Sequence, residues 1–388
     1  MRHFFEVKEL ASIYLTRFLL KIIYIIPLDS KKIFFSSYEG KQFSCNPKYL
    51  FLKLRSLDIE GITYVYEYND PILPDELKCG VRVVTHNSLR YIFEILTSKI
   101  VITNSGITAK MPIRKSQVVI NTWHGGGAYK KVGKDVDHKI NGVGNIFHRI
   151  SERQTTYFIS SSRYFSKVMN SAMGINNKKY FNSGMPRNDI FFQKNRYEFD
   201  TMIRKNYNLE SDIHLVLYAP TYRGKVNALD GDPIDQLDSK MLIQTLEKKF
   251  GGNWRLLYRG HYYGNKNADS DWYVNVSDYQ DMQELLTTID ILITDYSSSI
   301  WDFSFTNKPA FLFAPDIDDY QEKREFYTDI MEWPYKMARN NKELSDLIFQ
   351  YDSQKQVKRN KQHQDKMGSY EKGNATMEII NDLIINKL

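Results

Sequence analysis

Residues 290–314 constrain the fold of this chain more than any other stretch. They open with an apolar run, 291–293, whose lack of alternation predicts a strand buried on both faces. A serine-rich polar turn follows at 294–299, and a helix-length segment then runs to a break at Pro309. A second apolar run, 310–313, completes a βαβ unit, which predicts a parallel sheet.

The same alternation of strand-like and helix-like runs continues through the rest of the chain. Strands are predicted at 33–35, 62–66, 81–84, 100–103, 118–120, 157–160, 215–218, 254–258 and 273–276, with helices between most of them. This order predicts an α/β fold with two Rossmann-like domains, residues 29–187 and 188–388, the second ending in closing helices. At the end of the chain, 355–366 predicts an exposed helix and 374–385 an amphipathic one. Ligands of such sheets bind at the carboxyl ends of the strands.

Residues 1–28 predict an N-terminal amphipathic helix. No segment reaches the roughly 20 uninterrupted apolar residues of a membrane span, because Arg17 and Lys21 interrupt the best candidate. These two residues belong to a polar stripe, and leucines and isoleucines cover the remaining surface. The pattern is typical of a helix that lies on a bilayer, with Lys8, Lys31 and Lys32 attracted to anionic headgroups. A helix packed on the protein's own core fits the pattern equally well.

Charge and composition limit the partners of the chain. The 53 Lys and Arg residues exceed the 46 Asp and Glu residues by 7, which fits an anionic ligand or membrane surface. Basic and aromatic residues are not interleaved as on an RNA-binding sheet, so nucleic acid is not predicted. Cys45 and Cys79 are too few for a disulfide framework, which favours a reducing cytoplasm. No metal-ligand spacing or Walker A loop stands out, so no metal or cofactor is expected.

The candidate functional residues follow the predicted strands. His124 comes after the run 118–120 and precedes three glycines, so its imidazole should be accessible and could remove a proton from a hydroxyl. A loop histidine without a role is the alternative, and the serines of the turn at 294–299 could simply cap a helix. A pyrophosphate needs several convergent donors. Arg187 lies where the chain crosses from the first half to the second, and the other candidate donors follow predicted strands, namely Thr221, Arg223, Arg259, His261, Thr294, Ser297 and Ser298.

Taken in order, these motifs resemble those of a known family. The segments TWHGGG with two following lysines, GMPRND, APTYR, RGH and DILITDYSS are similar to those of the CDP-glycerol glycerophosphotransferases, the teichoic acid primases and polymerases of Gram-positive bacteria. The similarity covers roughly residues 33–327. It implies a GT-B-like fold, with an acceptor domain followed by a CDP-polyol donor domain. It also implies a peripheral enzyme on the cytoplasmic face of the cell membrane, acting on a lipid-linked, undecaprenyl-type acceptor.

The resemblance also implies roles for individual residues. His124 matches the general base, and His261 matches the histidine that stabilises the donor phosphates. Lys130 and Lys131 would bind the acceptor or its phosphates, and Glu284 would hold the ribose. The remaining donor-binding positions are Gly125, Arg187, Thr221, Arg223, Arg259, Thr294, Ser297 and Ser298.

Three segments depart from the family pattern: the loop after His124, residues 329–334, and Cys45. The first two bear on the donor polyol and the acceptor rather than on the type of reaction. The sequence therefore predicts transfer of a polyol phosphate, glycerol phosphate first, from CDP-glycerol with release of CMP, and no metal or cofactor. A CDP-ribitol enzyme, a GT-B glycosyltransferase that uses a nucleotide sugar, and a membrane-associated nucleotide-binding module are the alternatives.

Overall fold

The computed structural model describes residues 2–136, 142–193, 197–221, 233–260, 271–323 and 325–388. The chain forms two compact units. The first unit comprises Met1–His124, Val132–Asp189 and Tyr370–Leu388, and the second comprises Gly125–Lys131 and Ile190–Ser369. His261 and Arg223 lie outside the described residues.

The first unit is built on a parallel sheet. Its described strands are β1 (Asp29–Ser36), β2 (Thr63–Glu67), β3 (Val81–Val84), β4 (Ser98–Thr103), β5 (Val118–Asn121), β6 (Tyr157–Ile159) and β7 (Tyr180–Phe181), in the order β3-β2-β1-β4-β5-β6-β7. The central strand β1 buries Ile33, Phe34 and Phe35 completely. A strand buried on both faces must lack polar alternation, and that is the pattern its sequence shows.

Helices cover this sheet. They are α1 (Arg2–Leu20), α2 (Cys45–Ser56), α3 (Asp75–Lys78), α4 (Leu89–Thr97), α5 (Gly142–Gln154) and α6 (Arg163–Met173). Two of them start at serine caps, because Ser88 accepts from the Tyr91 amide and Ser162 accepts from the Phe165 amide. Helix α6 ends at Gly174, whose φ of 72° suits a left-handed C-cap.

The second unit also contains a parallel sheet. Its described strands are β8 (His214–Ala219), β9 (Trp254–Tyr258), β10 (Tyr273–Asn275), β11 (Ile291–Thr294), β12 (Ala310–Phe313) and β13 (Met337–Ala338), in the order β10-β9-β8-β11-β12-β13. Its helices are α7 (Tyr197–Asn206), α8 (Ser239–Phe250), α9 (Met282–Thr288), α10 (Ser299–Ser304), α11 (Ile317–Lys323), α12 (Asn341–Phe349) and α13 (Ser353–Met367). The predicted βαβ unit is β11-α10-β12, with β11 and β12 parallel neighbours.

Helix α13 is exposed over most of its surface, as its polar sequence predicts, but one face is buried. Gln356, Asn360, His363 and Met367 form a buried stripe along one face. The Gln356 amide donates to the Pro334 carbonyl at 2.9 Å, and the Asn360 amide donates to the Ser304 carbonyl at 3.3 Å. The polar pattern did not predict this buried face, because polar side chains can be buried when hydrogen bonds satisfy them.

The C-terminal helix α14 (Ala375–Ile379) belongs to the first unit, whereas the sequence assigned it to the second domain. The buried Asp189 carboxylate accepts from the Ala375 amide at 3.0 Å and from the Thr376 amide at 2.8 Å. The Glu371 carboxylate likewise accepts from the Met185 amide at 3.0 Å. These bonds hold the C-terminal segment 370–388 against residues 185–189 of the same unit.

Helix α1 docks on the first unit through Arg17 and Ile13. The Arg17 guanidinium donates to the carbonyls of Ala109 and Met111 at 2.7 and 2.8 Å, and Ile13 on the same helix is fully buried. The opposite side remains apolar and exposed: Phe18 is 72% exposed. In the described part of the chain, no helix combines the length and apolar character needed to span a bilayer.

Candidate active site

His124 occupies the turn that follows β5 in the first unit. Its Nδ1 lies 2.8 Å from the carbonyl oxygen of Asn104, which follows the neighbouring strand β4. A carbonyl oxygen can only accept, so Nδ1 carries the hydrogen and Nε2 of the neutral ring carries the lone pair. The Trp123 ring stacks on the imidazole with a centroid distance of 4.5 Å, and the Tyr38 ring lies 5.6 Å away.

The environment of His124 favours its neutral form. Burial lowers the pKa of the His124 imidazole, and the nearby Arg187 guanidinium acts in the same direction. The hydrogen bond to the Asn104 carbonyl opposes them without reversing the shift. At neutral pH the ring is therefore uncharged, which is the state a general base needs.

Arg187 supports the backbone of His124. Its guanidinium donates to the His124 carbonyl at 2.6 Å and to the Cys45 sulfur at 3.3 Å, and its side chain is almost fully buried. The Arg187 amide also donates to the Asn46 side chain at 3.1 Å. Cys45, one of the three departures from the family pattern, is thus a partner of a predicted site residue.

In the second unit, Thr221 and Thr294 lie at the carboxyl ends of neighbouring strands. The Thr221 amide donates to both carboxylate oxygens of Asp295, at 2.8 and 2.9 Å. The Thr294 hydroxyl donates to the Ala219 carbonyl at 2.6 Å and is fully buried, so it joins β11 to β8. Asp295, also fully buried, was predicted only as a turn residue, although a carboxylate directly after a buried strand is a signal for a structural role there.

The serine turn after β11 uses only some of its hydroxyls internally. The Ser297 hydroxyl accepts from the Ser299 amide at 3.3 Å and from the Ser299 hydroxyl at 3.0 Å. Ser298 occupies the N-cap position of α10, but its side chain makes no capping bond. Ser297 and Ser298 are both half-buried. Capping therefore accounts for Ser297 and leaves the hydroxyl of Ser298 without that role.

Arg259 and Glu284 also belong to the second unit. Arg259 follows β9, and its guanidinium donates to the Gln280 carbonyl at 3.3 Å. Glu284 is buried near the start of α9, where its carboxylate accepts from the Tyr279 hydroxyl at 2.5 Å. Burial and this carboxylate raise the pKa of Tyr279, so the phenol stays protonated and acts as the donor.

The predicted loop residues Gly125, Lys130 and Lys131 belong to the second unit. Lys130 forms an antiparallel bridge with Phe326, and the Lys131 ammonium pairs with the Glu325 carboxylate. Tyr129, which lies between Gly125 and Lys130 in the sequence, is buried.

Tyr129 connects the two longer departures from the family pattern. Its hydroxyl lies 2.9 Å from Nε2 of His363, and its ring lies 4.5 Å from that of Trp333. Gly127 must be glycine, because a Cβ there would lie 2.1 Å from the Tyr129 ring. The loop after His124 and the segment 329–334 therefore pack against each other through Tyr129 and Trp333. Sequence reasoning noted both departures but had no signal for their contact.

Two parallel α/β units, each with polar side chains at the carboxyl ends of its strands, define a GT-B-like fold of the kind that many transferases use. The family model for CDP-glycerol:poly(glycerophosphate) glycerophosphotransferases matches residues 18–385. The chain belongs to that family and is an enzyme of the transferase class. The predictions of family, fold class and enzyme class are confirmed.

Curated relatives agree with the family. A teichoic acid poly(glycerol phosphate) polymerase of Bacillus spizizenii is 28% identical over 379 residues, which cover 94% of each chain. A teichoic acid glycerol-phosphate transferase of Staphylococcus aureus is 29% identical over 361 residues, 88% of each chain. The polymerase of Staphylococcus epidermidis is 30% identical over 83% of this chain, which spans only 46% of that relative.

Solved structures give the same result. A structure of the wall teichoic acid polymerase TagF, a histidine variant with CDPG, has a TM-score of 0.81 and 25% identity, covering 99% of this chain and 96% of that one. A UDP-GlcNAc 2-epimerase from Neisseria meningitidis has a TM-score of 0.54 at 12% identity over 91% of this chain and 99% of that one, a likeness of fold alone.

Proposed function

We propose that this chain transfers glycerol phosphate from CDP-glycerol to the terminal hydroxyl of a teichoic acid-type acceptor. The acceptor oxygen attacks the phosphorus that carries the glycerol, a new P–O bond forms, and the P–O bond to CMP breaks. The hydroxyl proton passes to Nε2 of His124. The observation that carries the proposal is the hydrogen bond from Nδ1 of His124 to the Asn104 carbonyl, which leaves Nε2 as the basic atom.

We assign donor binding mainly to the carboxyl edge of the second sheet. Phosphoryl transfer depends mostly on positioning and charge neutralisation. Arg259, Thr221 and the Ser297–Ser298 turn supply a guanidinium, hydroxyls and backbone amides there, and Thr294 and Asp295 hold the strands that carry them. By similarity to the family, we further assign His261 and Arg223 to the donor phosphates, and Gly125 and Arg187 to donor binding.

Glu284 is our candidate for the ribose. Its buried carboxylate is held by the Tyr279 hydroxyl, and an acidic side chain can accept from a sugar hydroxyl. We assign Lys130 and Lys131 to the acceptor or its phosphates on the basis of their charge and their place after His124. The ion pair between Lys131 and Glu325 reduces the net charge that Lys131 offers.

The exposed apolar side of α1 and of the short 3-10 helix that follows it, Lys21–Ile25, supports a peripheral membrane role and a lipid-linked acceptor. Phe18, Ile22 and Ile25 are 72%, 70% and 82% exposed, an arrangement that water disfavours and a bilayer interface favours. Lys32 cannot serve the headgroups as the sequence suggested, because it is buried and pairs with Glu94 at 2.9 Å. We place the enzyme on the cytoplasmic face of the cell membrane, where a CDP-linked donor and an undecaprenyl-type lipid acceptor would meet.

The direct test is a donor panel. The protein is incubated with a lipid acceptor that ends in glycerol phosphate and, separately, with CDP-glycerol, CDP-ribitol or a UDP-sugar, and the release of CMP or UDP is measured. We expect CMP from CDP-glycerol with equal formation of an extended acceptor. CMP release from CDP-ribitol alone would make the enzyme a ribitol phosphate transferase. UDP release would make it a glycosyltransferase, and nucleotide binding without turnover with any donor would make it a binding module.

A further inference from the structure

The turn after β1 is held in an unusual backbone conformation beside His124. Tyr38, Glu39 and Gly40 have consecutive φ angles of 50°, 58° and 76°, all in the left-handed region. Residues with a Cβ avoid this region, and such conformations persist where the surroundings impose them, often at functional sites. Gly40 could not be replaced, because a Cβ there would lie 2.9 Å from the Asn69 side chain.

Two asparagines impose this conformation. The Asn69 side chain donates to the Glu39 carbonyl at 2.8 Å, and its backbone amide donates to the Gly40 carbonyl at 2.8 Å. On the other side, the Tyr38 amide donates to Oδ1 of Asn104 at 2.8 Å. Asn104 thus binds the turn with its side chain and the His124 imidazole with its backbone carbonyl.

Asn104 makes these bonds at a cost. It is fully buried, and its Nδ2 has no hydrogen-bond partner among the described residues. An aspartate could accept the Tyr38 amide through the same oxygen without leaving a donor unpaired. It would also place a negative charge beside an imidazole that must lose its proton to act as a base. A site that requires an uncharged side chain at position 104 would explain why Asn104 is present despite its unpaired Nδ2.

We propose that Asn104 is the positioning residue that orients the His124 ring, with Nε2 as the basic atom, without placing a charge beside it, and that Tyr38 forms the seat for the terminal polyol of the acceptor. This inference rests on the proposed function. The Tyr38 ring is a direct neighbour of the imidazole, with 5.6 Å between the ring centroids, so it would be a neighbour of a polyol whose hydroxyl lies about 2.6–3.2 Å from Nε2. The ring then fixes the direction from which the hydroxyl approaches.

The test of Asn104 is the variant Asn104→Asp. The carboxylate keeps the acceptor for the Tyr38 amide, so we expect the Tm to stay within a few degrees of wild type. The other charged or titratable groups that face His124 are the Arg187 guanidinium and the Tyr38 phenol, and the substitution leaves both in place. We expect the acidic limb of the kcat–pH profile to move to higher pH by about one unit. Histidine NMR should show the same upward shift of the His124 pKa without any substrate.

The test of Tyr38 separates acceptor from donor. For Tyr38→Ala we expect the KM for the lipid acceptor to rise at least tenfold and the KM for CDP-glycerol to change less than twofold. Tyr38→Phe keeps the ring, so its KM for the lipid acceptor should rise much less than that of Tyr38→Ala. If Tyr38→Ala leaves the KM for the lipid acceptor unchanged, Tyr38 does not bind the acceptor polyol. If Asn104→Asp leaves the pKa of His124 unchanged, Asn104 does not have the positioning role.

The outcomes also distinguish this inference from the proposed function. If the wild-type enzyme turns over CDP-glycerol while either variant behaves like wild type, that part of the inference fails and the function stands. If the wild-type enzyme transfers nothing from CDP-glycerol, the function and the Tyr38 seat fail together. The NMR titration then still decides the effect of Asn104 on the His124 pKa.

Discussion

At the scale of single residues, the site depends on buried polar groups that hold backbone in place. Arg187 holds the carbonyl of His124, Asn104 holds its imidazole, and Asp295 holds the ends of β8 and β11 together. The sequence identified the histidine from its place after a strand and before three glycines, and the arginine from its motif between the two halves and its match to the family. It missed Asn104, since one buried asparagine differs from any other only through the partners that the fold supplies.

Asp295 is the residue whose removal should weaken donor binding most selectively. Its carboxylate accepts from the amides of Thr221 and Tyr296, so Asp295→Asn leaves at least one of these donors poorly paired. We expect a loss of about 1–3 kcal/mol in the free energy of unfolding. We also expect CDP-glycerol to bind at least fivefold more weakly in calorimetric titration.

The matched control lies at the other end of the same strand. Asp290 precedes β11, and its carboxylate accepts from the Leu215 amide at 2.9 Å. Asp290→Asn should lower stability by a smaller amount, because this carboxylate is partly exposed, and should leave donor affinity unchanged. Equal effects of the two substitutions on donor affinity would show that Asp295 has no specific connection with the donor site.

At the scale of elements, α1 shows how one helix can carry two surfaces. Arg17, placed by its sequence in a polar stripe facing solvent or headgroups, instead caps carbonyls of the chain between β4 and β5. Ile13 is buried beside it, and other apolar side chains, Leu15, Phe18 and Leu19, are left exposed. The sequence analysis gave docking on the core and contact with a bilayer as alternatives. One helix with these two sides could do both.

Charges placed on the exposed apolar side of α1 and of the 3-10 helix Lys21–Ile25 should abolish membrane binding without affecting the fold. The double variant Phe18→Glu, Ile22→Glu changes two side chains that the protein does not bury, so the Tm should hardly move. We expect sedimentation with anionic liposomes to fall at least tenfold, because a carboxylate opposes both apolar insertion and the lipid charge.

Ile72 provides the control for that experiment, since it is 80% exposed on a loop of the first unit. Ile72→Glu should bind liposomes as wild type does. Undiminished sedimentation of the double variant would mean that α1 serves only the core.

The elements that the sequence predicted well are those with one-sided or uniform hydropathy. Strands β3, β9 and β12 have the predicted bounds, because a short apolar run between polar turns has few other solutions. Strand β13 has only two residues and gives no periodic signal. The polar buried face of α13 and the packing of Tyr129 on Trp333 depend on partners far along the chain, and no local pattern encodes them.

At the scale of the whole molecule, buried histidines link stability to pH. Burial lowers the pKa of His363 to about 4, whereas the Glu67 carboxylate raises the pKa of His86. The native state therefore binds fewer protons at His363 than the unfolded state does between pH 6.5 and about 4, and stability falls as the pH drops through that window. The full effect of this single group is about 3 kcal/mol.

Replacing His363 should remove this acid sensitivity. In His363→Gln, the free energy of unfolding measured by urea titration should fall less between pH 6.5 and 4 than in wild type. His86→Gln should behave in the opposite sense: it removes a stabilisation that is present at low pH and disappears as the pH rises through the raised pKa. Parallel pH curves for wild type and His363→Gln would show that the histidine is not buried in its neutral form.

The central claim is that His124 removes the proton from the acceptor hydroxyl, and turnover of His124→Ala tests it most directly. With CDP-glycerol and a lipid acceptor, we predict that kcat falls about 10²-fold or more, while the KM for CDP-glycerol stays within a few-fold. His214→Ala, which changes a largely exposed histidine at the start of β8, serves as the control and should match wild type. A kcat for His124→Ala within a few-fold of wild type would contradict the account.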